Sequence, residues 1–151
     1  SSFHRVLWDD AQKGHSETKL VADRKIRRVV LCSGKVYYDL LAARDTRGID
    51  DVYLLRLEQF YPFPAQSMVH ELARFKGAEI VWCQEEPKNQ GAWFFVEPNI
   101  EWVLGHVGAR QTRPHYVGRA ASASPATGLA SRHKAEQDAL VNEALGSGGA
   151  G

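Results

Sequence analysis

Four short polar clusters hold the residues of this 151-residue chain that could do chemistry, and each follows an apolar run. They are Ser33-Gly34-Lys35, Glu58-Gln59-Phe60-Tyr61, Gln84-Glu85-Glu86-Pro87-Lys88-Asn89-Gln90-Gly91 and Gly118-Arg119. Ser33-Gly34-Lys35 opens a helical pattern, so free backbone N–H groups beside a lysine make an anion seat. A tight strand-to-helix turn with a solvated Lys35 is the simpler alternative. A P-loop is excluded, because Val29 stands where its first glycine belongs. Glu85 and Glu86 resemble an acid/base pair only in composition: neighbours in extended chain point opposite ways and do not converge on one bond. One of them is expected to pair with Lys88 or Arg119 and the other to face a partner. Cys83 follows Ile80-Val81-Trp82, where desolvation raises a thiol's pKa and leaves it inert. Six histidines are scattered along the chain, and none stands at a usual metal spacing from a Cys or another His. Arg119 leads into the small, hydroxyl-bearing stretch Ala120 to Gly128. Ser33, Arg119, Ser122 and Ser124 are therefore the candidate contacts for a phosphate-bearing ligand, with packing against another domain as the alternative. Nucleophile, base and oxyanion donors do not assemble in this pattern, so the chain by itself is not expected to be catalytic.

The elements that must position these clusters read off in order. Arg27–Cys32, Asp51–Leu57, Ala78–Cys83 and His115–Val117 are strand-like. Between the first two, Val36, Tyr37, Leu40 and Leu41 mark one helical face that Gly48 stops. Pro62 and Pro64 punctuate the next loop, and Met68, Val69, Leu72 and Phe75 mark a second helix closed by Gly77. An aromatic, mostly helical stretch, Ala92–Val96 and Ile100–Leu104, is expected to break at Pro98. Trp82, Trp93, Phe94, Phe95 and Trp102 are assigned to the core. A last helix carries Ala135, Leu140, Val141, Ala144 and Leu145. Residues 1–25 read as a lead-in linker that docks by Trp8, 26–145 as one domain, and 146–151 as a flexible tail.

This strand–helix alternation, with continuously apolar strands, predicts an α/β fold with a mostly parallel, doubly wound sheet covered on both faces. A fourth or fifth strand is free to run antiparallel. In such sheets ligands and partners gather beyond the strand carboxyl ends, which places all four polar clusters on one edge. That edge is either a ligand site or a docking face. The lack of a dinucleotide fingerprint favours docking, with Lys35, Gln59, Tyr61, Glu85, Glu86, Asn89 and Gln90 as contact residues.

Composition narrows the classes further. With 44% hydrophobic and 25% charged residues the chain is an ordinary globular sequence. Nineteen basic against eighteen acidic residues leave a formal charge of +1, which argues against a general nucleic-acid binder. The sequence holds no apolar run long enough to span a membrane. Cys32 and Cys83 both lie in strand-like runs and read as buried free thiols in a reducing compartment. The start, Ser1-Ser2-Phe3-His4-Arg5, carries neither an initiator Met nor a signal-peptide core, so a processed chain or an excised piece is expected.

The motifs also carry a resemblance. Cys32-Ser33-Gly34-Lys35-Val36-Tyr37-Tyr38-Asp39-Leu40 resembles a signature of the thiamine-diphosphate-dependent 2-oxoglutarate dehydrogenase component. So do Glu58-Gln59-Phe60-Tyr61-Pro62-Phe63-Pro64, Trp82 through Trp93, and Tyr116-Val117-Gly118-Arg119 through Gly128. Four motifs in order cover residues 25–145, and Arg5-Val6-Leu7-Trp8-Asp9-Asp10 resembles the family's lead-in. The likeness is to its carboxy-terminal, transketolase-C-like domain, which implies a three-layer sandwich. It implies a parent that decarboxylates 2-oxoglutarate in the tricarboxylic acid cycle and passes the succinyl group to a lipoyl arm of the acyltransferase. Thiamine diphosphate and Mg²⁺ would be held by larger upstream domains and across their homodimer interface, not by this chain. The domain would buttress those domains, in the bacterial cytoplasm or the mitochondrial matrix. In some family members a nucleotide or acetyl-coenzyme-A regulator binds near its boundary, and Arg119 with the Ser122–Gly128 loop is the candidate contact. The competing readings are a free-standing α/β protein binding a phosphorylated ligand at the strand ends, and a thiol enzyme using Cys83.

Overall fold

The computed structural model describes residues 6–121 and 130–146. Strand β1 (Val6–Leu7) precedes β2 (Arg28–Cys32), α1 (Val36–Arg47), β3 (Val52–Leu57) and α2 (Ala65–Leu72); β4 (Glu79–Pro87), α3 (Trp93–Val107), β5 (His115–Arg119) and α4 (Ala130–Leu145) follow. The five strands pair in the order β1-β3-β2-β4-β5. All pairs are parallel except β1 with β3.

Side chains alternate across a strand, so the continuously apolar runs divide between two cores. Val29, Leu31, Tyr53, Leu55, Ile80 and Trp82 face a cluster closed by Met68 and Leu72 of α2 and Trp93, Val96, Ile100 and Val103 of α3. Val30, Cys32, Val52, Leu54, Val81, Cys83 and Val117 face the other, closed by Val36, Tyr37 and Leu40 of α1 and Leu140, Val141, Ala144 and Leu145 of α4. The result is the three-layer sandwich with a doubly wound sheet. Arg28 Nη1 donates to the carbonyls of Glu143 and Ala144 at 2.8 Å, and Arg27 Nη2 to that of Leu145 at 3.0 Å. Two arginines at the foot of β2 thus satisfy the last carbonyls of α4 and complement its dipole.

Three expectations are corrected. Helix α3 runs unbroken through Pro98. Pro98 and Phe94 are both exposed, so the carbonyl of Phe94 that loses its N–H partner lies on the solvent-facing side of the helix. On that same face Phe94 and Trp102 are exposed rather than in the core, because Trp93, Val96, Ile100, Val103, Leu104 and Val107 take the inward stripe. In the lead-in, read as a linker, Val6–Leu7 is instead the edge strand of the sheet, and Asp9 anchors it beside Trp8. Val6 and Leu7 pair only with Leu57 and Arg56 of β3. Beyond them Asp9 Oδ2 accepts the N–H of Leu54 at 2.7 Å, continuing the ladder with a side chain where β1 has ended. Trp8 is half-exposed and donates its indole N–H to Glu71 at 2.9 Å.

Candidate functional site

The chain leaves β2 for β3 on one side and returns to β4 on the other, so the topological switch point lies between the carboxyl ends of β2 and β4. Lys35, just after β2, crosses that crevice to Glu85 of β4, Nζ to Oε1 at 2.9 Å. The same carboxylate oxygen accepts from Gln137 Nε2 of α4 at 2.9 Å. The hydrogen bond and charge of Glu85 raise the Lys35 ammonium above its ordinary value. Glu85 therefore pairs with Lys35, not with Lys88 or the charge of Arg119. Lys88 instead lies over the rings of Tyr116 and Trp93, at 5.3 and 5.9 Å. The amide seat at the start of α1 is approached by the chain's own Glu58, whose Oε2 lies 3.4 Å from the N–H of Gly34. Ser33 is half-buried at the end of β2.

The pairing of β4 with β5 is irregular between Cys83 and Pro87, a bulge that turns strand carbonyls out of the ladder. Buried Gln84 collects them. Its Nε2 donates to the carbonyls of Glu86 at 3.1 Å and Pro87 at 3.0 Å. Its Oε1 accepts from Trp82 Nε1 at 2.9 Å and from the N–H of Trp93 at 3.1 Å. One amide thus joins the strand, the turn after it and the start of α3, using all its acceptor and donor capacity. A Cβ on Gly91 would stand 2.5 Å from Gln84 Nε2, so a glycine is required at that point of the turn.

Arg119 ties the same bulge to α4. Its Nη1 donates to the Glu85 carbonyl, its Nε lies 3.0 Å from Glu136 Oε1, and its Nη2 reaches Gln137 Oε1 at 3.2 Å and His133 Nδ1 at 3.4 Å. This proposed anion contact is thus already engaged by the domain's own groups. Ser122 and Ser124, the other members of that candidate contact, lie outside the described residues.

The remaining expected docking residues divide. Gln59 donates to the Pro62 carbonyl at 3.1 Å and braces its own loop. Tyr61 is exposed, with its ring against Phe95 at 4.7 Å. Glu86 is exposed near the end of β4, and Asn89 and Gln90 on the turn after it. The structure adds an apolar surface the sequence reading assigned to the core: Phe94, Pro98 and Trp102 succeed one another at four-residue spacing on the outer face of α3. Trp102 stacks on His106 at 3.7 Å.

Burial pushes the Cys83 thiol up to about 12, and Cys32 well above its ordinary value, so neither offers a thiolate near neutral pH. Among the described residues no three His, Cys, Asp or Glu side chains converge as a metal site would require. With Lys35 held by Glu85 and Arg119 by Glu136, the described donor set does not fit a Mg²⁺–diphosphate group.

Four buried polar residues escaped the sequence reading. Arg44 falls on the apolar stripe of α1, four residues after Leu40, and that position was the available signal. Its partner Asp9 lies 35 positions away, and nothing in the sequence links the two. Arg56 is next to last in the apolar run of β3 and is buried against Tyr37 of α1, and Glu71 of α2 is buried under Trp8 and Arg74.

Comparison with known proteins fits this geometry. A family model described as 2-oxoglutarate dehydrogenase C-terminal matches residues 1–145. The chain is 64% identical over 148 residues to the 2-oxoglutarate dehydrogenase E1 component of Brucella anthropi, covering 97% of this chain and 15% of that protein. The corresponding Brucella ovis protein is 64% identical and the Brucella abortus protein 63% identical, each over 147 residues with the same coverage. The chain thus spans about 15% of the length of the curated relatives it matches. Each of these matches names the same enzyme component, which leaves the stand-alone ligand-binding reading without support.

Proposed function

The chain belongs to the 2-oxoglutarate dehydrogenase C-terminal family, and from that premise we propose that it is an assembly domain within an E1 polypeptide. It packs against the preceding domains of the same polypeptide and helps hold its homodimer. The carrying observation is 64% identity along 97% of this chain against a region that is only 15% of the relative. The rest of the polypeptide supplies the sites for thiamine diphosphate and Mg²⁺, decarboxylates 2-oxoglutarate and hands the succinyl group to the lipoyl acyltransferase. The packed unit takes in the lead-in from Val6 together with the described residues of 26–145, and the whole works in the bacterial cytoplasm. In the described residues, no helix is long and apolar enough to cross a membrane.

The geometry supports docking over ligand binding. The switch-point crevice is bridged by Lys35 and Glu85, and Arg119 is taken up by α4. Exposed Tyr61, Phe94 and Trp102 supply the large apolar contacts from which interfaces draw their affinity. Glu86, Asn89 and Gln90 give it a polar rim.

The test is an E1 polypeptide carrying Glu86→Lys or the pair Phe94→Ser and Trp102→Ser. Sedimentation velocity should show the dimer weakened and decarboxylation lost in step, with the domain's melting temperature unchanged. Wild-type assembly and activity in both variants would overturn the assignment.

A further inference from the structure

Arg56, the penultimate residue of β3, is only 9% exposed, yet no carboxylate among the described residues lies within 4.0 Å of its guanidinium. Arginine does not escape burial by losing its proton, and buried charges in folded proteins are as a rule paired. What the domain offers instead is aromatic. The guanidinium carbon sits 4.0 Å from the ring centroid of Tyr37 and 5.6 Å from that of Tyr38, and Nη1 donates to the Tyr38 hydroxyl at 3.2 Å. Nε is sealed inside the domain with no acceptor among the described residues, and Nη2 makes no hydrogen bond to a described residue. Nη2 is not sealed as Nε is, and a guanidinium N–H donates a charge-assisted hydrogen bond to a carboxylate or phosphate oxygen. The cation stands at the carboxyl end of β3, in register with Cys32 of β2, on the strand-end edge and beneath the exposed ring of Tyr38.

We propose that Arg56 and Tyr38 form an oxyanion-accepting site whose ligand comes from outside these 151 residues. Nη2 binds the oxyanion, Tyr37 backs the guanidinium, and Tyr38 fixes Nη1 and borders the entrance. Two sources share that chemistry: an Asp or Glu side chain from the rest of the E1 polypeptide, and a small free anion. The first source rests on the E1 assignment above; the second does not, so the two can fail separately.

Hydrogen exchange on the full E1 polypeptide distinguishes them, comparing wild type with Arg56→Met and Arg56→Lys. If a side chain of the same polypeptide occupies the site, Arg56→Met speeds exchange in one acidic peptide outside this domain by about tenfold, the worth of one charge-assisted hydrogen bond. If the ligand is a free anion, millimolar inorganic phosphate slows exchange across Ser33–Tyr38 in wild type, at constant ionic strength set with chloride, and does not in Arg56→Met. Arg56→Lys keeps the charge without the planar guanidinium and gives a smaller response in whichever arm is active. Should Arg56→Met fail to fold, the Arg56→Lys comparison and the wild-type phosphate titration still decide. Exchange that responds neither to substitution outside the domain nor to phosphate overturns the proposal, whatever the enzyme's assembly and activity.

Discussion

Asp9 and Arg44, 35 residues apart, meet in an ion pair wholly sealed from solvent, with Arg44 Nη2 at 2.8 Å from Asp9 Oδ1 and Nη1 on Oδ2. Asp9 also accepts the N–H groups of Ala11 at 2.8 Å and Leu54 at 2.7 Å, and Arg44 donates to the Val52 carbonyl at 3.2 Å. The pair therefore joins the lead-in, α1 and the edge of β3. Removing one partner strands the other's charge in the interior, so Asp9→Ala or Arg44→Met should each cost about 3–5 kcal/mol. Urea unfolding of the chain measures this. The double variant Asp9→Ala with Arg44→Met should be more stable than the sum of the singles implies, yet short of wild type, because the Leu54 N–H loses its acceptor. Additive losses would contradict the pairing.

The Gln84 amide and Gly91 should prove coupled in the same sense. A methyl at position 91 would lie 2.5 Å from Gln84 Nε2 and 2.7 Å from Cδ. Gly91→Ala should then cost about 1–3 kcal/mol, the range for forcing atoms into a filled interior. In a Gln84→Ala background the same change should cost clearly less, since the atoms it strikes are gone. A double-mutant cycle on the melting temperature reads the difference, and equal costs in both backgrounds would remove the steric explanation.

Acid should loosen two tethers through their carboxylates. Burial raises Asp45, but the hydroxyls of Thr18 and Ser16 outweigh it and hold the group below its ordinary value. Burial likewise raises Glu79, and His115 and Arg28 outweigh it. A folded-state value below the unfolded one means stability present in full above the unfolded pKa of about 4 and lost as the pH falls through the folded one. Unfolding midpoints taken from neutral pH into the acid range should decline below about pH 5. Asp45→Asn should start lower and decline less. An identical acid slope in Asp45→Asn would show that Asp45 contributes nothing to it.

Much of the candidate site's position was legible because it follows from strand direction alone. Apolar runs ending in Ser33-Gly34-Lys35, Glu58, Gln84–Gly91 and Arg119 must bring those ends to one edge once the strands are parallel. The partners at that edge were not legible. Glu85 takes Lys35, 50 positions away, in preference to nearby Lys88, because strands β2 and β4 are neighbours in the sheet and Lys88 is drawn over Tyr116 and Trp93. Trp102 and Phe94 were misplaced for a similar reason: composition marks an aromatic as a core residue, but the helical phase set by Trp93, Val96 and Ile100 decides which face it occupies.

The order of strands and helices, the two-sided burial of the sheet and the inertness of the thiols are determined by the sequence itself. They depend on local periodicity and on the desolvation of an apolar run, both of which are properties of neighbouring residues. Only the tertiary structure decides that Asp9 completes the edge of β3, that Gln84 gathers the bulge carbonyls, and that Arg56 is buried with no carboxylate partner among the described residues. Each of these depends on which strands lie side by side and on how much buried polar valence the packed chain leaves unmet. That is fixed by the sum of long-range contacts and is not written in any one segment.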